Sequence, residues 1–456
     1  MTRMKIAVVG HTNAGKTSLL RTLARRRDFG EVSERPGTTR HVEAIELRAG
    51  EAAEIRFLDT PGLEDSVALW HHLQHAVAGD DRPARVRAFL AGPEARAAFE
   101  QEAKVLRQMV DADAAFYVID SREPVLPKHR AEIEILNGCA RPLMPVLNFV
   151  RDPTSRAEAW HQALAAAGLH AQTRFDAVAP FVGAEQQLYQ DLATLLPARR
   201  VQLQAVGVFL EQERGQRREA DARLIAATLV RLAALRRELP EGADPAAAER
   251  ELQQLALKRV RDAADALLDI HGFRYDDLLL KQLPWQDGRW DRDLFHPDAL
   301  LAAGRRLGLG AAIGASLGVV ADLAVGGLSL GAGAALGGAL GSFASQGWRQ
   351  IGTKIANQLK GVRELTLGNP LLFLAAAQLT SLARALERRG HAALQTLVQD
   401  AEVDAAHDAA LQRAVQAIQP ARSRPEWEKR SSEDERCREL VAAMARLLEP
   451  ALRVDP

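Results

Sequence analysis

The chain has 456 residues, 26% charged and 47% apolar, which is ordinary for a folded protein of two or more domains and excludes global disorder. Lys+Arg and Asp+Glu are equal at 59 each, so no overall field draws the protein to nucleic acid, and no DNA partner is expected. Only Cys139 and Cys437 are present, which excludes a disulfide framework and fits a reducing, cytoplasmic compartment. The opening "MTRMKIAVVGHT" carries an apolar stretch too short for a secretory signal peptide, and it reads as a first strand.

That strand runs into "GHTNAGKTSLL". Gly10, Gly15, Lys16 and Thr17 satisfy Gly-x4-Gly-Lys-Thr, between a strand and a helix-like "TSLLRTLARRR". Glycines let successive N–H groups converge on phosphate oxygens, and the helix directs its positive dipole end at the anion. Asn13, Ala14 and Ser18 complete the nucleotide-binding loop. Lys16 is expected to reach the β and γ phosphates as a catalytic charge, and Thr17 to place its hydroxyl on Mg²⁺. Next come the polar "RPGTTRH" and the alternating strand "HVEAIELR", then "IRFLDTPGLED", a strand ending in Asp59-Thr60-Pro61-Gly62. An Asp there can hold Mg²⁺ through water, and Gly62 can offer its N–H to a γ-phosphate. Alone, "DTPG" is a turn after an edge strand; in this order the three stretches make a nucleotide switch.

About fifty residues separate Gly62 from the apolar strand "AAFYVID" (114–120). A helical insertion is expected at about 66–110, forming a partner or dimer contact. His71 and His75 fall one turn apart there, but no cysteine or acidic ligand is arranged with them, so a helix face is preferred to a zinc site. "KHRAEIEILNG" reads as a helix closed by Gly138, and "TSRAEAWHQALAAAG" as one opened by Thr154 or Ser155 and closed by Gly168. "TRFDAVAPF" is a candidate last strand and "GAEQQLYQDLATLL" a last helix, which closes a first domain at 197.

From 198 to 456 the β signal fades. "ADARLIAATLVRLAALRREL" places Ile225, Leu229, Leu232 and Leu235 on one helical face, and "AERELQQLALKRVRDAADALLDI" does so with Leu252, Ala256, Val260, Ala263 and Leu267. Asn369-Pro370 reads as a helix start and Gly390 as a stop. Residues 307–344 differ: one acidic residue, Asp322, and no Lys, Arg or Glu, with glycines at 310, 314 and 318 and again at 333, 337 and 341. Small residues at every fourth position allow close helix approach. Gly326-Gly327 near the middle suggests a helical hairpin whose arms fall short of the ~20 residues that cross a bilayer comfortably. Basic residues at both ends (Arg305, Arg306, Arg349, Lys354) would keep the flanks cytoplasmic. Two readings stand: contact with, or insertion into, the bacterial inner membrane, and burial within the helical domain.

"GHTNAGKTS", "RPGTTR" and "DTPGLED" together resemble the TrmE–Era–EngA-like bacterial GTPases over about the first 200 residues, in a branch with a C-terminal helical domain of unknown function. The resemblance implies a P-loop NTPase fold, a doubly wound, mostly parallel α/β sheet, here followed by an all-α domain with the glycine-rich hairpin. It implies GTP and GDP as ligands and Thr39 as the switch I threonine, catalytic and on Mg²⁺, with Thr38 as the fallback. Leu63 stands where Ras-like proteins carry the glutamine that orients water, so intrinsic hydrolysis should be slow. Relatives with an apolar residue there often use a loop asparagine to bind K⁺ when two G domains dimerise; Asn13 holds that place, with loop stabilisation as the alternative. The departure is base recognition. For Asn-Lys-x-Asp this chain has Asn148-Phe149-Val150-Arg151-Asp152, with no lysine and the aspartate one residue late. Asn148 is the expected first motif residue, and Asp152 reaches guanine only if the loop bulges. An ATPase switch and a ribosome- or RNA-associated assembly GTPase remain the alternatives.

Overall fold

The computed structural model describes residues 3–24, 43–50, 53–177, 180–181, 183–239, 244–273, 295, 297–307, 353–356, 363–388, 405–430 and 433–454. The polar segment 35–41, with Thr38 and Thr39, lies outside the described residues, as does the glycine-rich stretch from 308 to 344. The chain divides into two compact units at Gly215/Gln216.

In the first unit, six strands order as β2-β3-β1-β4-β5-β6: β1 (Met4–Val9), β2 (Glu43–Ala49), β3 (Ala53–Asp59), β4 (Ala114–Asp120), β5 (Leu143–Asn148) and β6 (Thr173–Arg174). Only β2 runs antiparallel, beside β3; β1 pairs in parallel with β3 on one side and β4 on the other. Because strand side chains alternate, β1 serves two cores. Ile6 and Val8 join Phe57 and Phe116 under α1 (Lys16–Ala24), while Ala7 and Val9 join Tyr117 and Ile119 on the opposite face. That second face is covered by α2 (Ser66–His75), α3 (Arg82–Ala91), α4 (Glu100–Asp111), α5 (Pro127–Asn137) and α6 (Ala157–Ala166), through residues such as Leu69, Phe89, Leu106, Ile135 and Trp160. The first face is completed by Leu188 and Leu192 of α7 (Ala184–Leu195) and by Leu203 and Val206 of α8 (Arg200–Ala234).

Helix limits follow local chemistry. Asp65 and Asp81 cap α2 and α3 by accepting the N–H of Ala68 and Ala84. The start expected at Thr154 or Ser155 shifts to Ala157, because both hydroxyls are engaged elsewhere: Thr154 with Asp152 at 2.6 Å and Ser155 with Ser121 at 2.9 Å. Among the described residues of "TRFDAVAPF", the expected strand covers Thr173–Arg174.

The second unit is helical: the part of α8 from Gln216 onward, α9 (Pro245–Ile270), α10 (Pro297–Arg306), α11 (Asn369–Glu387), α12 (Ala405–Ala417) and α13 (Glu435–Leu452). The predicted stripes meet in its core, Ile225, Leu229 and Leu232 with Leu252, Val260 and Leu267, together with Phe373, Leu379 and Leu448. This unit also carries a short antiparallel sheet, β7 (Arg236–Leu239), β8 (Thr353–Ala356) and β9 (Arg363–Leu367), in the order β7-β9-β8. The helix predicted through "RREL" therefore stops at Ala234, where Arg236–Leu239 leaves to pair with β9. Four charged-rich residues give no strand signal by themselves; their partner lies over 120 residues away, and Arg236 is held there by Glu364 at 2.9 Å.

Candidate nucleotide site

The loop between β1 and α1 lies at the carboxyl end of the parallel strands, where two adjacent strands lead to opposite sides of the sheet. Its backbone is left-handed at Asn13 (φ 66°), which asparagine tolerates well, and at Gly15 (φ 91°). Gly15 is required twice over: a Cβ there would come within 2.3 Å of Asn148 Nδ2. Ala14 is buried and Ser18 half-buried, while Asn13 is exposed.

Lys16 is 7% exposed, and its ammonium donates to the carbonyls of Gly10 at 3.1 Å and His11 at 2.9 Å. Burial pushes its pKa below the ordinary lysine value, while Asp59 and Glu132 pull the other way. The Thr17 hydroxyl donates to Asp59 Oδ2 at 2.6 Å, joining the start of α1 to the end of β3. A hydroxyl beside a fully buried carboxylate is a hard-oxygen pair that fits Mg²⁺. Thr60 anchors the same strand end by donating to Val8 O at 2.7 Å. Gly62 lies so close to Thr12 that a Cβ would be 2.2 Å from its hydroxyl, which brings the "DTPG" turn onto the phosphate loop. Leu63 is fully buried in the core under α2, its N–H 3.4 Å from Gly10 O. No water-orienting group can act from that side chain.

Asn148 ties three segments together: Nδ2 donates to Ala14 O at 3.1 Å, and Oδ1 accepts from Phe149 N–H at 3.0 Å and Ala177 N–H at 2.9 Å. The structure thus brings Asn148 to the loop. Asp152 is turned into its own loop, Oδ1 accepting the N–H and hydroxyl of Thr154 at 2.8 and 2.6 Å. Those bonds hold its pKa below the usual carboxylate value. Phe149, in the place of the expected lysine, has φ 58°, and the Arg122 guanidinium lies 4.0 Å from its ring centre.

The sequence reading missed a polar cluster directly behind the loop. Glu132 of α5 is fully buried; Tyr117 donates to its Oε2 at 2.8 Å, and His11 Nδ1 lies 2.8 Å from its Oε1. Burial and Glu132 together raise the Tyr117 phenol well above its ordinary value. The available signal was Glu132 falling on the same helical stripe as Ile135 and Leu136. The histidines of α2 do not converge: His71 and His75 stack on each other at 4.2 Å, and His72 packs against Phe89 and Phe99.

A mostly parallel sheet with this loop after β1 and Asp59 at the end of β3 defines a P-loop nucleotide-binding domain of GTPase type. Comparison with known families agrees: residues 5–149 match the family described as "50S ribosome-binding GTPase". The chain belongs to the family described as "Domain of unknown function (DUF3482)", which matches residues 161–446. Among curated relatives, "GTPase Der" of Azorhizobium caulinodans is 30% identical over 143 residues, 31% of this chain and 25% of that protein. "Probable GTP-binding protein EngB" of Anaeromyxobacter sp. is 43% identical over 63 residues, 13% of this chain and 29% of the relative. "tRNA modification GTPase MnmE" of Roseobacter denitrificans is 37% identical over 102 residues, 21% of this chain and 22% of the relative. The chain thus spans a quarter or so of the length of the curated relatives it matches. Among solved structures, Aquifex aeolicus Era bound to GDP and aluminium fluoride is 19% identical, with a TM-score of 0.29, over 39% of this chain and 52% of that one.

Proposed function

We propose that this chain is a GTP-binding and GTP-hydrolysing switch of slow intrinsic turnover, whose nucleotide domain is coupled to the helical unit. The observation that carries the reading is the Lys16, Thr17 and Asp59 constellation on a phosphate loop closed by Gly62. Lys16 supplies the positive charge for the β and γ phosphates; in the structure the loop's own carbonyls hold it in place. Thr17 and Asp59 would hold Mg²⁺, which when bound neutralises phosphate charge. Gly62 offers a backbone N–H toward a γ-phosphate, and Thr39 is the expected switch I ligand. Leu63 leaves the attacking water without a side chain to orient it, which supports slow turnover.

Support for coupling lies in α8, a 35-residue helix that contributes Leu203 and Val206 to one core and Ile225 and Leu229 to the other. Nucleotide-dependent ordering of the switch segments is the general route for such coupling. G-domain dimerisation with K⁺ at Asn13 belongs to the same proposal, supported by that residue's exposed, left-handed position. So does contact of 307–344 with a bilayer, supported by the glycine stripe; among the described residues no helix is long and apolar enough to cross a membrane. Liposome co-sedimentation that is equal for the full chain and a 307–344 deletion in every nucleotide state would remove that part.

Binding of labelled GTP with competition by unlabelled GTP and ATP tests the central reading. GTP must compete far better than ATP; equal competition would return the ATPase alternative. Salt-dependent binding to ribosomal subunits would favour an assembly role, which the family description of residues 5–149 makes worth measuring.

A further inference from the structure

The turn after β3 is fastened on both sides of Gly62. Upstream, Thr60 donates to Val8 O at 2.7 Å. Downstream, the N–H groups of Glu64 and Asp65 both donate to one carboxylate oxygen, Glu102 Oε1, at 3.3 and 3.1 Å. Glu102 stands in the first turn of α4, within the stretch expected from sequence to be a helical insertion, and is 5% exposed. Among the described residues these two N–H groups are its partners, and it joins no ion pair. A carboxylate withdrawn from water without a cation is costly unless hydrogen bonds hold it. Here both bonds come from the residues that lead into α2, whose positive dipole end adds to them. A side chain that only filled space beside the buried Val105 and Leu106 would be apolar. Between the two fastenings, Gly62 packs against Thr12, and the Leu63 N–H lies 3.4 Å from Gly10 O.

We propose that Glu102 is a positioning residue for the γ-phosphate site: by accepting from Glu64 and Asp65 it fixes the Gly62 turn on the phosphate loop before a triphosphate binds. The assignment rests on the GTP reading above, in which the Gly62 N–H serves the γ-phosphate. Glu102 acts through that turn and does not itself touch the nucleotide. A donor already held in place needs no reorganisation when the anion arrives, so its full strength goes into binding and into the transition state. GDP lacks the group that Gly62 serves. Glu102 therefore sets the preference for triphosphate over diphosphate, and the helical insertion becomes part of the switch rather than an appendage to it.

The test compares binding of GDP and of a non-hydrolysable GTP analogue, and single-turnover GTP hydrolysis, in the full-length wild type, Glu102→Leu and Glu102→Gln. Leucine removes the acceptor, whereas glutamine keeps a carbonyl oxygen for both N–H groups. Glu102→Leu should bind the GTP analogue about 10-fold more weakly and hydrolyse bound GTP about 10-fold more slowly, the scale of one lost charge-assisted hydrogen bond. Its GDP affinity should stay at the wild-type value, which also shows that the variant folds. Glu102→Gln should restore both GTP readouts. A merely structural role would weaken GDP and the analogue together. An unchanged GTP-over-GDP preference in Glu102→Leu, or a Glu102→Gln as impaired as Glu102→Leu, overturns the assignment and leaves the GTP reading in place. Should Glu102→Leu not fold, amide hydrogen exchange of residues 63–66 in the wild type decides. Protection already present with GDP supports the preset turn, and protection gained only with the GTP analogue refutes it. Failure of the wild type to bind GTP overturns the function reading together with this one.

Discussion

Replacing Glu132 with alanine tests whether the cluster behind the phosphate loop holds the nucleotide domain together. The carboxylate is fully buried and occupied at both oxygens, by the Tyr117 hydroxyl and by His11 Nδ1, each at 2.8 Å. Alanine would leave the buried Tyr117 hydroxyl without a partner, at about 1–3 kcal/mol, and the half-buried His11 Nδ1 at less, together about 2–4 kcal/mol. Glutamine keeps a carbonyl for Tyr117 and presents its amide N–H to His11 Nδ1, which accepts it as the Nε2–H tautomer, at nearly the same volume, so its loss should be smaller, about 1–2 kcal/mol. Because the chain has two units, a single global transition would mix them. Hydrogen–deuterium exchange of peptides covering β4 and α5 reads the first unit by itself. Protection there should fall by about 100-fold in Glu132→Ala, using tenfold per 1.4 kcal/mol, and by about tenfold in Glu132→Gln. Equal effects for the two variants, or a loss below about 1 kcal/mol for alanine, would refute the claim that this carboxylate organises the site.

Lys16→Ala should abolish triphosphate binding, as no other side chain brings a cation to the loop carbonyls among the described residues; retained affinity in a filter-binding assay would remove the phosphate-loop assignment. Asn13→Ala should lose any K⁺ stimulation of hydrolysis and keep nucleotide binding, and equal wild-type rates in K⁺ and Na⁺ would leave Asn13 as a loop residue. Cys139 is buried, and burial pushes its thiol up to about 12, so it should resist a thiol reagent at pH 8 until the domain unfolds. Asp434 accepts from Trp427 Nε1 at 2.9 Å and caps α13, which holds its pKa below 3.8. A depressed folded-state pKa stabilises above the unfolded value, so that contribution is present above about pH 4 and lost as the pH falls through the folded pKa. Acid titration of tryptophan fluorescence should show this step in wild type and lack it in Asp434→Asn.

The parts of the fold carried by local pattern were legible. Glycine spacing marked the phosphate loop, the four-residue apolar run Ile6–Val9 marked β1, and 3.6-residue periodicity marked α9, whose predicted stripe from Leu252 to Leu267 is buried throughout. What was illegible depends on partners distant in sequence. Arg236–Leu239 is a strand because Arg363–Leu367 pairs with it, and no four-residue window contains that information. The helix carrying Glu132 was legible, but the role of that carboxylate was not, because its partners, His11 and Tyr117, come from other elements. Leu63 shows the opposite case, since its departure from glutamine was readable by position and its full burial gives that departure a physical consequence.

The central claim is that "GHTNAGKTSLL" binds GTP and supports its slow hydrolysis. The most direct measurement is steady-state phosphate release from GTP and from ATP with Mg²⁺, by the full chain and by Lys16→Ala. Slow, GTP-selective release that disappears in Lys16→Ala is the predicted result; release that is equal in the two proteins, or that prefers ATP, would contradict it.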